Sequence, residues 1–180
     1  MGRRLIEFWR ANAMGLRVVA SFIALIFFFF FLLTWGPIIQ HVDAGKGLAQ
    51  LAAWMSYGVV WLLGPVLGYT PHRMGTIMGA GEFEVDVSPA CSGAVPTIIY
   101  LSAVLAYPTT WKARAWGSLI GILVIHFVNV GRVVGLFLIG LFRNEIFHET
   151  HVYVAQALVI CVAVALWLYW ATRFADAPAR

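Results

Sequence analysis

Charge is what this sequence has least of. Only 11% of its 180 residues are Asp, Glu, Lys or Arg, while 62% are hydrophobic, and the mean hydropathy is +0.86. A soluble domain carries about 25% charged residues. The shortfall excludes a water-soluble globular protein and points to an integral membrane protein of one unit, residues 1–180. The balance is basic, with 12 Lys and Arg against 8 Asp and Glu. These cations flank apolar runs and form no patch interleaved with aromatics, so they orient spans, and no nucleic-acid partner is expected.

Cysteine is scarce as well. Cys91 and Cys161 form no CxxC pair, and Cys161 falls inside an apolar run, so a disulfide framework is not expected. There is no phosphate loop, HExxH, GxSxG or His/Cys cluster with metal-ligand spacing, and no cofactor or metal is expected. Internal repeats and linkers are missing too.

What the chain has is long apolar runs. Arg3, Arg4, Arg10 and Arg17 precede residues 18–35, which include five consecutive phenylalanines from Phe27 to Phe31. A stretch of about 20 residues with no small-residue cleavage site after it reads as a retained first span with a cytoplasmic N-terminus. Residues 94–107 form a second span, closed by Pro108, Lys112 and Arg114. Residues 115–142 form a third, and 152–170 a last, closed by Arg173 and Arg180. The expected fold is therefore an all-α polytopic membrane protein with about four transmembrane helices.

Two stretches do not fit a simple crossing. After Gly36-Pro37 and a polar patch at 40–46, residues 47–69 are moderately apolar, with Trp54, Tyr57, Trp61 and an internal Gly64-Pro65. Counting them as a fifth crossing would break the positive-inside pattern, so an interfacial or re-entrant helix is expected. Residues 74–78, the turn Gly79-Ala80-Gly81 and the period-two alternation over 82–87 read as a β-hairpin. A hairpin's open edges cannot face lipid, so it belongs outside the bilayer, with Glu82, Glu84 and Asp86 on its wet face.

Depth then gathers the polar residues. A helix entering at Ala113 rises ~28 Å by Arg132, close to the ~30 Å hydrocarbon thickness. Cys91 precedes the span that descends from that outer level and His151 precedes another, so all three meet at one height. Cys91 reads either as a small packing residue or as a nucleophile. Ser92-Gly93 would open a helix whose N-terminal amides favour a thiolate and can hold an oxyanion. Arg132 is either a snorkelling anchor or part of a buried polar site. Asn129 shares its helix face at i, i+3, and His126 continues that face deeper in the membrane. His148 and His151, three apart, are both suitable as acid or base, and spacing does not choose between them. Glu149 reads as a solvated loop charge.

Ala90-Cys91-Ser92-Gly93, then Asn129-Val130-Gly131-Arg132, then a histidine before the last span resemble the exosortase/archaeosortase family over residues 74–170. The short length, the hairpin before the cysteine and residues 147–156 are most similar to the compact subtype called exosortase H. The resemblance implies a membrane-embedded cysteine transpeptidase or protease of the bacterial inner membrane, with its site facing the periplasm. Its substrates would be membrane-anchored proteins bearing a C-terminal sorting signal, cleaved through an acyl-enzyme thioester. Cys91, Arg132 and His151 would be catalytic, with Asn129, Ser92 and Gly93 supporting and His148 as the alternative base. The chain departs from the family pattern at Ala155-Gln156, where an aromatic is usual. Two rival readings remain: a non-enzymatic scaffold or transporter subunit with polar interhelical contacts, and a thiol oxidoreductase pairing Cys91 with Cys161.

Overall fold

The computed structural model describes residues 2–35 and 44–175; Arg180 and most of the polar patch at 40–46 lie outside that set. Five helices of more than ten residues are described: α1 (Gly2–Thr34), α2 (Ala44–Leu67), α3 (Ala94–Ala106), α4 (Trp111–Phe142) and α5 (Ala155–Arg173). Between α2 and α3 lie strands β1 (Pro71–Met74), β2 (Ile77–Ala80) and β3 (Phe83–Asp86). Among the described residues, four stretches are long and apolar enough to cross a membrane: Ala13–Thr34, Gly45–Val66, Trp111–Phe142 and Ala155–Arg173. α1 exposes Phe27, Phe28 and Phe31. A helix presenting rings like these is stable only with lipid around it.

The helices run between two ends of one bundle. At one end, Trp170 of α5 donates its indole N–H to Ala113 O at 3.2 Å, and Arg114 donates from Nε and Nη2 to Tyr107 O. Lys112, Arg114 and Arg173 cluster at this basic end, as the charge pattern predicts. At the other end sit Cys91, Asn129 and the sheet. α1 runs toward this second end: Val18 and Val19 share a cavity with Ala106 and Trp167, whereas Leu32 and Leu33 share one with Ala94 and Thr97.

α3 differs from the full span expected at 94–107. Its 13 residues rise only ~20 Å, short of a ~30 Å core. It nevertheless links the level of Asn129, against which Gly93 packs, to the level of Arg114. Pro108 explains the early stop, because the residue before a proline is pushed out of the helical region and Tyr107 is extended at ψ 134°.

α2 does not reach the basic end. Leu48 and Leu51 near its start share a cavity with Leu33 and His126, and beyond its end Tyr69 meets the Phe142 ring at 6.2 Å. It therefore runs beside the second half of α4, on the site's side; it is also among the helices long and apolar enough to cross a membrane, which the interfacial reading of residues 47–69 did not expect. The 32 residues of α4 measure ~48 Å, longer than the ~30 Å hydrocarbon layer.

The expected hairpin is a three-stranded antiparallel meander, β1-β2-β3. The extra strand is β1: Pro71, His72 and Arg73, which lay before the expected hairpin, extend together with Met74, and the strand expected over 74–78 is divided by the turn at Gly75. An added turn falls at Gly75-Thr76, and the turn expected at Gly79-Ala80-Gly81 lies at Gly81-Glu82, because Gly79 and Ala80 belong to β2; Gly75 and Gly81 both have positive φ. Met78 and Ala80 of β2 join Ala52, Ala53 and Val60 of α2 and Val133, Val134 and Phe137 of α4 in one core that also contains Cys91. Glu82, Glu84 and Asp86 are exposed, as their alternation requires.

Candidate active site

The loop carrying Cys91 is fixed by its own polar groups. Pro89–Cys91 form a 3₁₀ turn, and the Ser92 hydroxyl donates to Pro89 O at 2.6 Å while accepting from Ala94 N–H at 3.2 Å. Gly93 then turns left-handed at φ 82°, and a Cβ there would lie 3.1 Å from the Asn129 side chain. Glycine thus meets both a backbone and a space requirement at this position. Through the gap, Asn129 Nδ2 donates to Cys91 O at 2.9 Å, tying the loop to α4.

These bonds alter one expectation. The amides of Cys91, Ser92 and Ala94 are already engaged, with Ser88 O, Pro89 O and Ser92 Oγ. Helix-start amides are thus mostly committed to holding the loop. The positive group facing the sulfur is Arg132, whose Nη2 lies 3.9 Å from Cys91 Sγ. Arg132 is 8% exposed, Cys91 9% and Asn129 1%. The guanidinium also donates to Asn129 Oδ1 and Gln156 Oε1, both at 3.4 Å, and its Nε is buried without a partner among the described residues.

The third side chain arrives through an irregular stretch. After the 3₁₀ turn Asn144–Ile146 and one helical turn, Phe147–Glu149, the backbone widens into a π-helical turn, Thr150–Val154, before α5. His151 on this turn places Nε2 3.8 Å from Cys91 Sγ. Both contacts to sulfur are long, as is common before a substrate tightens a catalytic site. Burial first, then the Arg132 cation and His148, hold the His151 imidazole below its ordinary pKa. It is therefore neutral at pH 7 and able to take a proton.

The structure separates the two histidines that spacing left open: His151 meets the thiol, while His148 is exposed and bears only on the His151 imidazole, through charge. His126 bonds its own helix, Nδ1 to Ile122 O at 3.0 Å, and lines an apolar cavity instead of touching the thiol. Glu149 is exposed. Both cysteines are free, with Cys161 on the outside of α5, so the pairing that a thiol oxidoreductase would need is not formed.

The family model for transmembrane exosortases matches residues 9–170. The chain belongs to the transmembrane exosortase family. No curated protein and no solved structure matches it. Within this exosortase-family chain, three residues that contact or buttress His151 and Arg132 escape sequence reasoning. Phe147 stacks on His151 at 5.9 Å, and Phe83 of β3 meets both Phe147 and Phe137 edge-on. Phe83 can do so because Gly140 of α4 leaves its ring the space a Cβ would fill. Gln156 is the third. It lies five residues after His151, off that residue's face in a regular helix, so only the π-helical turn gives a signal for it.

Proposed function

We propose that the chain is a cysteine transpeptidase that cleaves the C-terminal sorting signal of membrane-anchored proteins and passes the product to an acceptor nucleophile. The observation that carries this reading is the approach of two groups to one sulfur: His151 Nε2 at 3.8 Å and Arg132 Nη2 at 3.9 Å from Cys91 Sγ. Neutral His151 takes the thiol proton as sulfur attacks the scissile carbonyl carbon. Negative charge collects on the former carbonyl oxygen, where the Arg132 guanidinium, including its unpartnered Nε–H, can donate. The imidazolium then protonates the departing amine, the C–N bond breaks and a thioester remains. His151 next removes a proton from the acceptor, which displaces the sulfur and restores the thiol.

Asn129, Ser92 and Gly93 hold the loop and the cation in place and take no proton. His148 is assigned no direct role. The positively charged bundle end lies opposite the thiol, which supports placing the site on the periplasmic face of a bacterial inner membrane. A thiol at that lip suits a substrate that is itself anchored in the bilayer. The test is processing of a C-terminally tagged, membrane-anchored substrate. Cys91→Ala is expected to abolish cleavage and Arg132→Ala to slow it about 100-fold or more, both variants accumulating in membranes at wild-type level. Normal cleavage by both removes the enzyme reading.

A further inference from the structure

Arg132 carries five N–H donors, yet among the described residues only two oxygens receive them: Asn129 Oδ1 from Nη1 and Gln156 Oε1 from Nη2. Asn129 lies on the same helix, three residues earlier, and its amide nitrogen is committed to Cys91 O. A single anchor leaves a planar guanidinium free to swing about it. The second anchor comes from a different helix and grips the same nitrogen that faces Cys91 Sγ at 3.9 Å. Two points on the two terminal nitrogens fix the plane of the cation.

The backbone is arranged to make that second contact. In a regular α-helix a residue five positions on lies about 140° around the axis, which would turn Gln156 away from the face of His151. The π-helical turn at Thr150–Val154, closed by Ala155 N–H to Thr150 O, widens the coil and returns Gln156 to that face. Gln156 is partly buried. An amide at this position also holds the cation without cancelling its charge, whereas a carboxylate would pair with it and offset its field at the sulfur.

We propose that Gln156 is a positioning residue that aims the Arg132 guanidinium at the Cys91 sulfur; the proposal builds on the cysteine-nucleophile reading above. It is tested in a Cys161→Ser background, which leaves Cys91 as the one thiol. The readouts are the rate constant for alkylation of Cys91 by iodoacetamide, and kcat and KM for substrate processing. Gln156→Met keeps the volume and removes the amide; Gln156→Glu keeps the acceptor and adds a negative charge. Both are expected to slow alkylation and lower kcat by about tenfold, with KM within about twofold because the substrate's own contacts persist. A residue that merely packs would leave both variants at the wild-type alkylation rate, and that result overturns the proposal whatever processing does. Slowed alkylation in both variants, with Cys91→Ala still cleaving substrate, upholds the positioning of Arg132 and instead sinks the transpeptidase reading.

Discussion

Gly93 sits at φ 82° against the Asn129 amide, so the loop that presents the sulfur depends on a residue without a side chain. Gly93→Ala is expected to cost about 1–2 kcal/mol from left-handed strain alone. It also pushes Asn129 off Cys91 O, so processing should fall further than stability. A thermal melt in detergent, run beside the processing assay, separates the two effects. His151 yields a second residue-scale prediction. Its pKa is held below the ordinary ~6.5 by burial, then Arg132, then His148. The acidic limb of kcat/KM is therefore expected below that value, with activity lost as pH falls and the imidazole charges. His148→Asn removes one neighbouring positive charge, so the limb should move to higher pH. The sign for stability agrees: because the folded form resists protonation, this residue's contribution is present above the unfolded pKa and lost as pH falls through the folded one. An unmoved limb in His148→Asn would show that His148 exerts no charge effect at the site.

Among the elements, the π-helical turn matters most because it sets two side chains at once. Inserting one alanine within Thr150–Val154 would separate His151 and Gln156 by six positions and rotate His151 by about a further 100° relative to α5. Helical content measured by circular dichroism should be unchanged, while processing falls to the level of a His151→Ala variant, about 100-fold or more below wild type. Retained activity would mean that the helix tolerates either spacing. The sheet acts on the same turn from above, through Phe83, Phe147 and the His151 ring. This packing gives the small sheet a role beyond covering the core: it restrains the histidine whose helical support is weakened by the widened turn. Aromatic pairs of this kind contribute about 0.5–1.5 kcal/mol each beyond their area, enough to bias a ring orientation.

At the scale of the whole molecule, the two ends of the bundle are chemically distinct, and a labelling experiment can read that asymmetry. In a background of Cys91→Ala and Cys161→Ser, Glu84→Cys on the exposed face of the sheet is expected to react with an impermeant maleimide in intact spheroplasts. Lys112→Cys at the basic end should react only after lysis. Equal labelling of both before lysis, or the reverse order, would contradict a site on the outer face. The short α3 sharpens the picture. With only ~20 Å of helix between the Cys91 loop and the basic end, the thiol lies closer to that end than a full ~30 Å crossing would put it, while the second half of α4, α2 and the sheet pack around it.

Composition alone established a membrane protein, because so apolar a chain has no soluble fold available to it. Spacing along α4 set the height of Arg132 and Asn129, since a helix has a fixed rise and a fixed angle per residue. The local pattern Cys91-Ser92-Gly93 likewise marked a loop opening a helix. Four matters were left to the tertiary structure. Sequence could not choose His151 over His148, because both lie in a stretch where the winding changes. It could not find Gln156, Phe147 or Phe83, whose contacts join elements far apart along the chain. It did not reveal that loop bonds engage the helix-start amides, nor that α3 stops short. Periodicity describes one element at a time, whereas a site formed by three helices, a loop and a sheet exists only once packing has set them against each other.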